Sequence, residues 1–158
     1  MTPPANGATD IMVIRMNEDN FRDYTPPRNE GDLDFEIDFY RGIIDQSPDY
    51  VDALAVLGDA LTRKGRYAEG LTIDQRLTLL LPNDPIVHYN LACSYNLLHM
   101  KKEALQSLRR AIALGYCDLH QIVTDKDLAS LHGDRSFHRL IRSLGKKLLR
   151  LIRQRQLR

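Results

Sequence analysis

Residues 51–84 read VDALAVLGDALTRKGRYAEGLTIDQRLTLLLPND, and residues 85–118 read PIVHYNLACSYNLLHMKKEALQSLRRAIALGYCD. A shift of 34 residues superimposes their punctuation: Leu57-Gly58 falls on Leu91-Ala92, Leu61 on Tyr95, Gly70 on Ala104, Leu77 on Ala111 and Pro82 on Tyr116. The same shift carries Glu36, Ile43 and Pro48 onto Gly70, Leu77 and Pro82, so the recurrence reaches back into residues 30–48. Self-similarity at a fixed period of this size is the sequence mark of a stacked repeat.

Within each unit the apolar residues follow the helical period. Leu54, Leu57 and Leu61 form one stripe, Gly65 interrupts it, and Tyr67, Leu71, Leu77 and Leu80 form a second that stops at Pro82. Upstream, Leu33, Ile37, Tyr40, Ile43 and Ile44 share a stripe that Ser47-Pro48 closes. Small residues at Gly58, Gly70, Ala92 and Ala104 let paired helices approach closely while Leu and Tyr positions fill the gap. The expected fold is all-α.

This spacing resembles the tetratricopeptide repeat, whose pattern is an aromatic, then Leu-Gly, then Tyr, later Ala and Phe, then Pro. Residues 51–84 match it with Leu54, Leu57, Gly58, Leu61, Gly70 and Pro82, and residues 85–118 with Leu91, Ala92, Tyr95, Ala104, Leu108 and Ala111. The departures are Leu54 and His88 in place of the aromatic, Asp74 where Phe is expected, and Tyr116 for the final Pro. The resemblance implies a short right-handed α-solenoid of helix-turn-helix repeats, with residues 30–48 as its N-terminal cap. Ala113-Leu114-Gly115-Tyr116 followed by Asp127-Leu128, Leu131, Asp134 and Phe137 is similar to the closing segment of small bacterial tetratricopeptide proteins. It implies a bacterial origin and a finished array; by apolar spacing alone, residues 118–144 read as two short helices.

The expected organisation is a flexible arm over 1–29, a helical repeat domain over 30–144 and a basic, amphipathic helical extension over 145–158. Two Thr-Pro-Pro triplets, Thr2-Pro3-Pro4 and Thr25-Pro26-Pro27, make the arm poor helical material; residues 11–16 alternate well enough for a short strand that needs an outside partner. The apolar fraction of 43% and charged fraction of 27% are those of an ordinary soluble domain and exclude wholesale disorder. No basic start and long apolar stretch marks a signal peptide, and no apolar run approaches the ~20 residues that span a bilayer. Cys93 and Cys117 are too few for a disulfide framework or a zinc site, which points to a reducing, cytoplasmic setting.

Charge is distributed unevenly. Residues 1–60 hold 13 acids and 4 bases, whereas residues 61–158 hold 18 bases and 8 acids. Residues 134–158 carry nine of those bases against Asp134 alone, including Arg142, Lys146, Lys147, Arg150, Arg153, Arg155 and Arg158. Phe137, Leu140, Ile141, Leu144, Leu148, Leu151 and Ile152 recur there at helical spacing, so a helix would carry an apolar stripe flanked by arginine. Such a helix fits an acidic protein surface first, an anionic membrane second and nucleic acid third; no aromatic residue follows Gly145 to stack on bases. The acidic N-terminal half of this chain, in the same or a second copy, belongs to the first class.

No P-loop, dinucleotide fingerprint, Gly-x-Ser-x-Gly elbow or His-Glu-x-x-His pair is present, and His88, His99, His120, His132 and His138 show no metal-ligand spacing. The chain is therefore expected to be no enzyme, with neither cofactor nor metal. What the repeat resemblance implies instead is a groove lined by the first helix of each pair. Its outward residues would be Val56, Asp59, Thr62 and Arg63 from one unit and Tyr89, Asn90, Cys93, Asn96 and Leu97 from the next. Asn90 stands out because an amide both donates to and accepts from a peptide backbone. Ala55 and Asp59 stand where relatives that clamp chaperone C-termini keep Lys and Asn, so that ligand is not expected. The expected function is a non-catalytic scaffold binding another protein through the groove, the basic helix or both. Its rival is a peripheral membrane or nucleic-acid binder acting through the basic helix alone.

Overall fold

The computed structural model describes residues 30–156, and among them the chain is helical with no strand. The proline-rich arm, with the short strand considered for residues 11–16, and Arg158 lie outside the described residues. In order, α1 spans Glu30–Gln46, α2 Val51–Arg63, α3 Tyr67–Leu80, α4 Pro85–Leu97 and α5 Lys101–Leu114. A short α6 follows at Leu119–Thr124, then a 3-10 turn at Lys126–Leu131 and a long α7 at Arg135–Gln156.

The bounds of α4 and α5 are those of α2 and α3 moved by 34 residues, so the sequence recurrence is a recurrence of helix pairs. Consecutive helices pack on one another from α1 through α5. The turn inside each pair is built alike. The Arg66 N–H donates to the Leu61 carbonyl at 2.8 Å and the Met100 N–H to that of Tyr95 at 2.9 Å, each across a residue of positive φ. That residue is Gly65 at 79° in the first pair and His99 at 61° in the second; only glycine adopts this conformation without Cβ strain. Close approach of α2 and α3 needs Gly58 and Gly70. A Cβ on Gly58 would sit 3.3 Å from Ile73 Cγ2, and one on Gly70 3.1 Å from Thr62 Oγ1.

The core is divided unevenly. Ile37 of α1 packs with Leu57, Ala60 and Leu61, and Leu54 packs with Leu77 and Val87. A larger cluster joins α4 and α5 to the closing segment through Ala92, Leu108, Ile122, Leu128, Leu131, Phe137 and Leu144. Aspartates set the starts of these elements: Asp84 caps α4 ahead of Pro85, Asp118 caps α6, and Asp134 accepts the Ser136 and Phe137 N–H groups at 2.6 and 3.2 Å.

Residues 118–144 form α6, the 3-10 turn and the first half of α7, where the sequence suggested two short helices. Asp125 explains the extra element, since it accepts the Asp127 N–H at 2.9 Å and restarts the chain after α6. The expected boundary after Leu144 falls inside α7, which continues through Gly145 while Leu148 still packs on the core. No helix among the described residues is long and apolar enough to cross a membrane.

Candidate functional site

The groove residues expected from α4 are already occupied by the chain itself. Tyr89, Cys93 and Asn96 are buried, and the segment lying on them is the 3-10 turn with the residue before it. Tyr89 Oη donates to Asp125 Oδ2 at 2.6 Å, and the Cys93 thiol reaches the same oxygen at 3.8 Å. Asn96 Nδ2 donates to the Asp127 carbonyl at 2.6 Å while its Oδ1 accepts from Ser130 Oγ at 2.6 Å. Tyr116, standing at the missing proline, stacks on Tyr89 with ring centroids 4.3 Å apart and planes 8° from parallel. The expectation that Tyr89, Cys93 and Asn96 present an open peptide-binding face is corrected by this seam. Leu128 and Leu131 require burial, and delivering them to the core lays the Asp125 carboxylate, the Asp127 carbonyl and the Ser130 hydroxyl across α4.

Burial governs the acid-base character of the seam. It pushes the Cys93 thiol well above its ordinary range, with the Asp125 carboxylate adding to the effect, so this sulfur is held protonated. Tyr89 is raised first by burial and then by Cys93 and its bond to Asp125, and Asp127 is raised by burial and by Asp125. Next to the seam, Asp74 sits where the repeat pattern has a phenylalanine. Its carboxylate, accepting from Ser94 Oγ, is pushed up to about 6 by burial, a rise the serine bond opposes and Asp59 supports.

The α2 members of the expected groove lie elsewhere. Arg63 bridges Asp59 at 2.7 Å and Glu36 of α1 at 2.8 Å, tying α1 to the first pair. Val56 and Thr62 are half-buried, as is Leu97 of α4, and Asn90 is exposed with no side-chain hydrogen bond among the described residues. The structure thus gathers Tyr89, Cys93 and Asn96 into one internal seam and leaves Asn90 outside it. A shallow depression between α1 and α3 is lined by Leu61, Ile73 and the Arg41–Glu69 ion pair. Among the described residues no cluster of His, Cys, Asp or Glu is placed to hold a metal ion.

Two surfaces that combine exposed apolar side chains with charge lie at opposite ends of the helix order, apart from exposed apolar residues such as Leu79 and Ile86. On α7, Lys146, Lys147, Arg150 and Arg153 are exposed without an ion pair among the described residues, beside Leu149 at 59% and Ile152 at 53% exposure. Arg142 is exposed on the same helix, and Arg155 lies in its last turn. On α1, Phe35 is 73% and Phe39 53% exposed, their rings stacked at 6.2 Å. Sequence reasoning passed over this pair. The available signal was that Phe35 and Phe39, four residues apart, fall off the Leu33–Ile37–Ile44 stripe that faces α2.

No family model matches the chain. The sequence is similar to a chloroplastic protein of Arabidopsis thaliana, with 28% identity over 98 residues that cover 58% of this chain. The aligned part spans 28% of that plant protein, so the similarity concerns a minor portion of it.

Proposed function

We propose that this chain is a non-catalytic adaptor of the tetratricopeptide class that binds another protein, with the basic face of α7 as its principal contact. The helix pairs that recur every 34 residues support the class. The observation that carries the binding surface is the exposed Leu149 and Ile152 set among Lys146, Lys147, Arg150 and Arg153, bases that no acid of the described residues neutralises. Exposed apolar side chains inside a single-sign charged field mark an interaction site for a partner of opposite charge. The α4 groove is the weaker candidate, because its central side chains are spent on the closing segment.

The test reverses charge on α7 and leaves the helix in place, since Leu148 belongs to the core. Lys146→Glu with Arg150→Glu and Arg153→Glu is expected to abolish partner capture from nuclease-treated lysate at low salt, with helicity by circular dichroism unchanged. Capture that survives this change but is lost in Asn90→Arg would transfer the site to the exposed edge of α4. Binding of the wild type to anionic vesicles, with no protein captured, would favour the membrane reading.

A further inference from the structure

We propose that the acidic aromatic face of α1 is a docking site for the basic face of α7 from a second copy of this chain, so that copies join head to tail. The inference rests on α7 being the contact surface and names what it contacts.

At 100° per residue, Phe35 and Phe39 lie side by side on the outer face of α1, with Asp32 on one flank and Asp38 and Asp45 on the other. None of these three carboxylates has an ion pair among the described residues, whereas Asp34 and Glu36, nearer the packed side, are bonded to Lys64 and Arg63. The stripe is therefore two stacked aromatic rings between carboxylates that no ion pair among the described residues holds, although Asp38 lies within the electrostatic reach of Arg66. The exposed edge of α7 is its counterpart, with Leu149 and Ile152 one turn apart and Lys146, Arg150 and Arg153 beside them. Over 145–156 this helix offers about 18 Å of length, enough to cross α1 with its leucine and isoleucine against the phenylalanines. Burying the four side chains brings opposite charges to both rims.

Packing decides between one copy and two. α1 lies on α2 while α7 lies on α5 and α6, and the exposures of Phe35, Phe39, Leu149 and Ile152 show that neither surface covers the other within a chain. The arm ahead of α1 is the competing occupant, but residues 1–29 hold four acids and three bases and offer no positive field to match the acidic face. Because the two surfaces differ, the contact is heterologous: it leaves a free α1 at one end and a free α7 at the other, and growth continues until a ring closes.

Sedimentation of the full chain tests this. At low salt the weight-average mass is expected to rise with concentration to at least twice that of one chain, and to fall back at high salt. Asp32→Lys with Asp38→Lys, and separately Lys146→Glu with Arg150→Glu and Arg153→Glu, are each expected to sediment as single chains. Mixed in equal amounts they should associate again, since each then supplies the charge the other lacks, and this rescue shows that neither variant has simply misfolded. A wild type that stays a single chain at every concentration at low salt overturns the proposal, as does a mixture that fails to associate. If the wild type stays single while α7 charge reversal still abolishes capture of another protein, head-to-tail docking falls and the adaptor reading stands.

Discussion

Between α1 and α3 the surface is stitched by ion pairs: Arg41 to Glu69, Arg63 to Glu36 and Asp59, Lys64 to Asp34, Arg66 to Glu69 and Arg76 to Asp49. From α4 onward the described residues hold no ion pair, and cohesion comes from one large apolar cluster with a hydrogen-bonded seam at its edge. The difference lies in how each region uses charge. The first spends its bases on its own acids; solvent makes the exposed pairs such as Arg76–Asp49 worth little, while Arg63–Glu36 is the better shielded. The second has five acids against fourteen bases, uses Asp118, Asp125 and Asp134 on backbone N–H groups, and leaves the α7 bases unmatched among the described residues. Each region thus ends with a surplus of one sign: the first pairs every base it has and keeps Asp32, Asp38 and Asp45 over, and the second keeps the bases of α7.

If the closing segment holds the second region together, the largest effect should come from its apolar anchors. Leu128 is fully buried, and Leu128→Ala is expected to cost about 2–5 kcal/mol in urea unfolding. Amide exchange should rise across residues 125–131, and an unfolding midpoint equal to that of the wild type would break the comparison. The next effect concerns the buried charge at the junction of the two regions. Asp74 titrates at about 6 in the fold against an ordinary value of 3.8, so the native state takes up its proton first as pH falls. The contribution of this group to stability thus rises on acidification from about pH 7 to 4. Asp127, also raised, acts in the same direction. Asp74→Asn should stabilise the chain near pH 7 by up to about 3 kcal/mol and flatten that part of the pH profile.

Asn96→Ala sharpens the contrast between a seam and a groove. Removing the buried amide takes the donor from the half-buried Asp127 carbonyl and breaks the bond to Ser130, at a cost of about 1–3 kcal/mol. A residue whose role was only to await a peptide would change stability by nothing measurable. The smallest effect is expected in the ion-paired region: Arg76→Ala, which breaks the bridge to Asp49, should cost less than about 1 kcal/mol. A double-mutant cycle on this pair giving several kcal/mol would mean that the first region is held by its charges after all.

The helix pairs were legible because their signals are local. Gly65, Pro82 and Gly115 stop helices through backbone conformation alone, and the 34-residue shift placed α2 to α5 before any packing was known. The candidate groove was half legible. Of its α4 positions, Tyr89, Cys93 and Asn96 meet residues 125–130 of the same chain, whereas sequence reasoning assigned their partner to another molecule. Contact between α4 and residues some 30 positions later depends on where the closing segment turns back, and Asp125 and Asp134 announce such turns without their direction. Phe35 and Phe39 were missed because a stripe calculation rewards the residues that face the neighbouring helix and is silent on aromatics that face away.

By itself the sequence determined that this chain is helical, that its helices recur in pairs, and that its acids and bases gather at opposite ends. Each of these follows from periodicity, backbone conformation or composition, which act over a few residues or need only be counted. Tertiary structure alone decided which side chains remain available. It folded the closing segment over Tyr89, Cys93 and Asn96, buried Asp74, and left the aromatic face of α1 and the basic edge of α7 uncovered. Availability depends on where distant segments lie in space, and burial of Leu128 and Leu131 against α4 and α5 is what put them there.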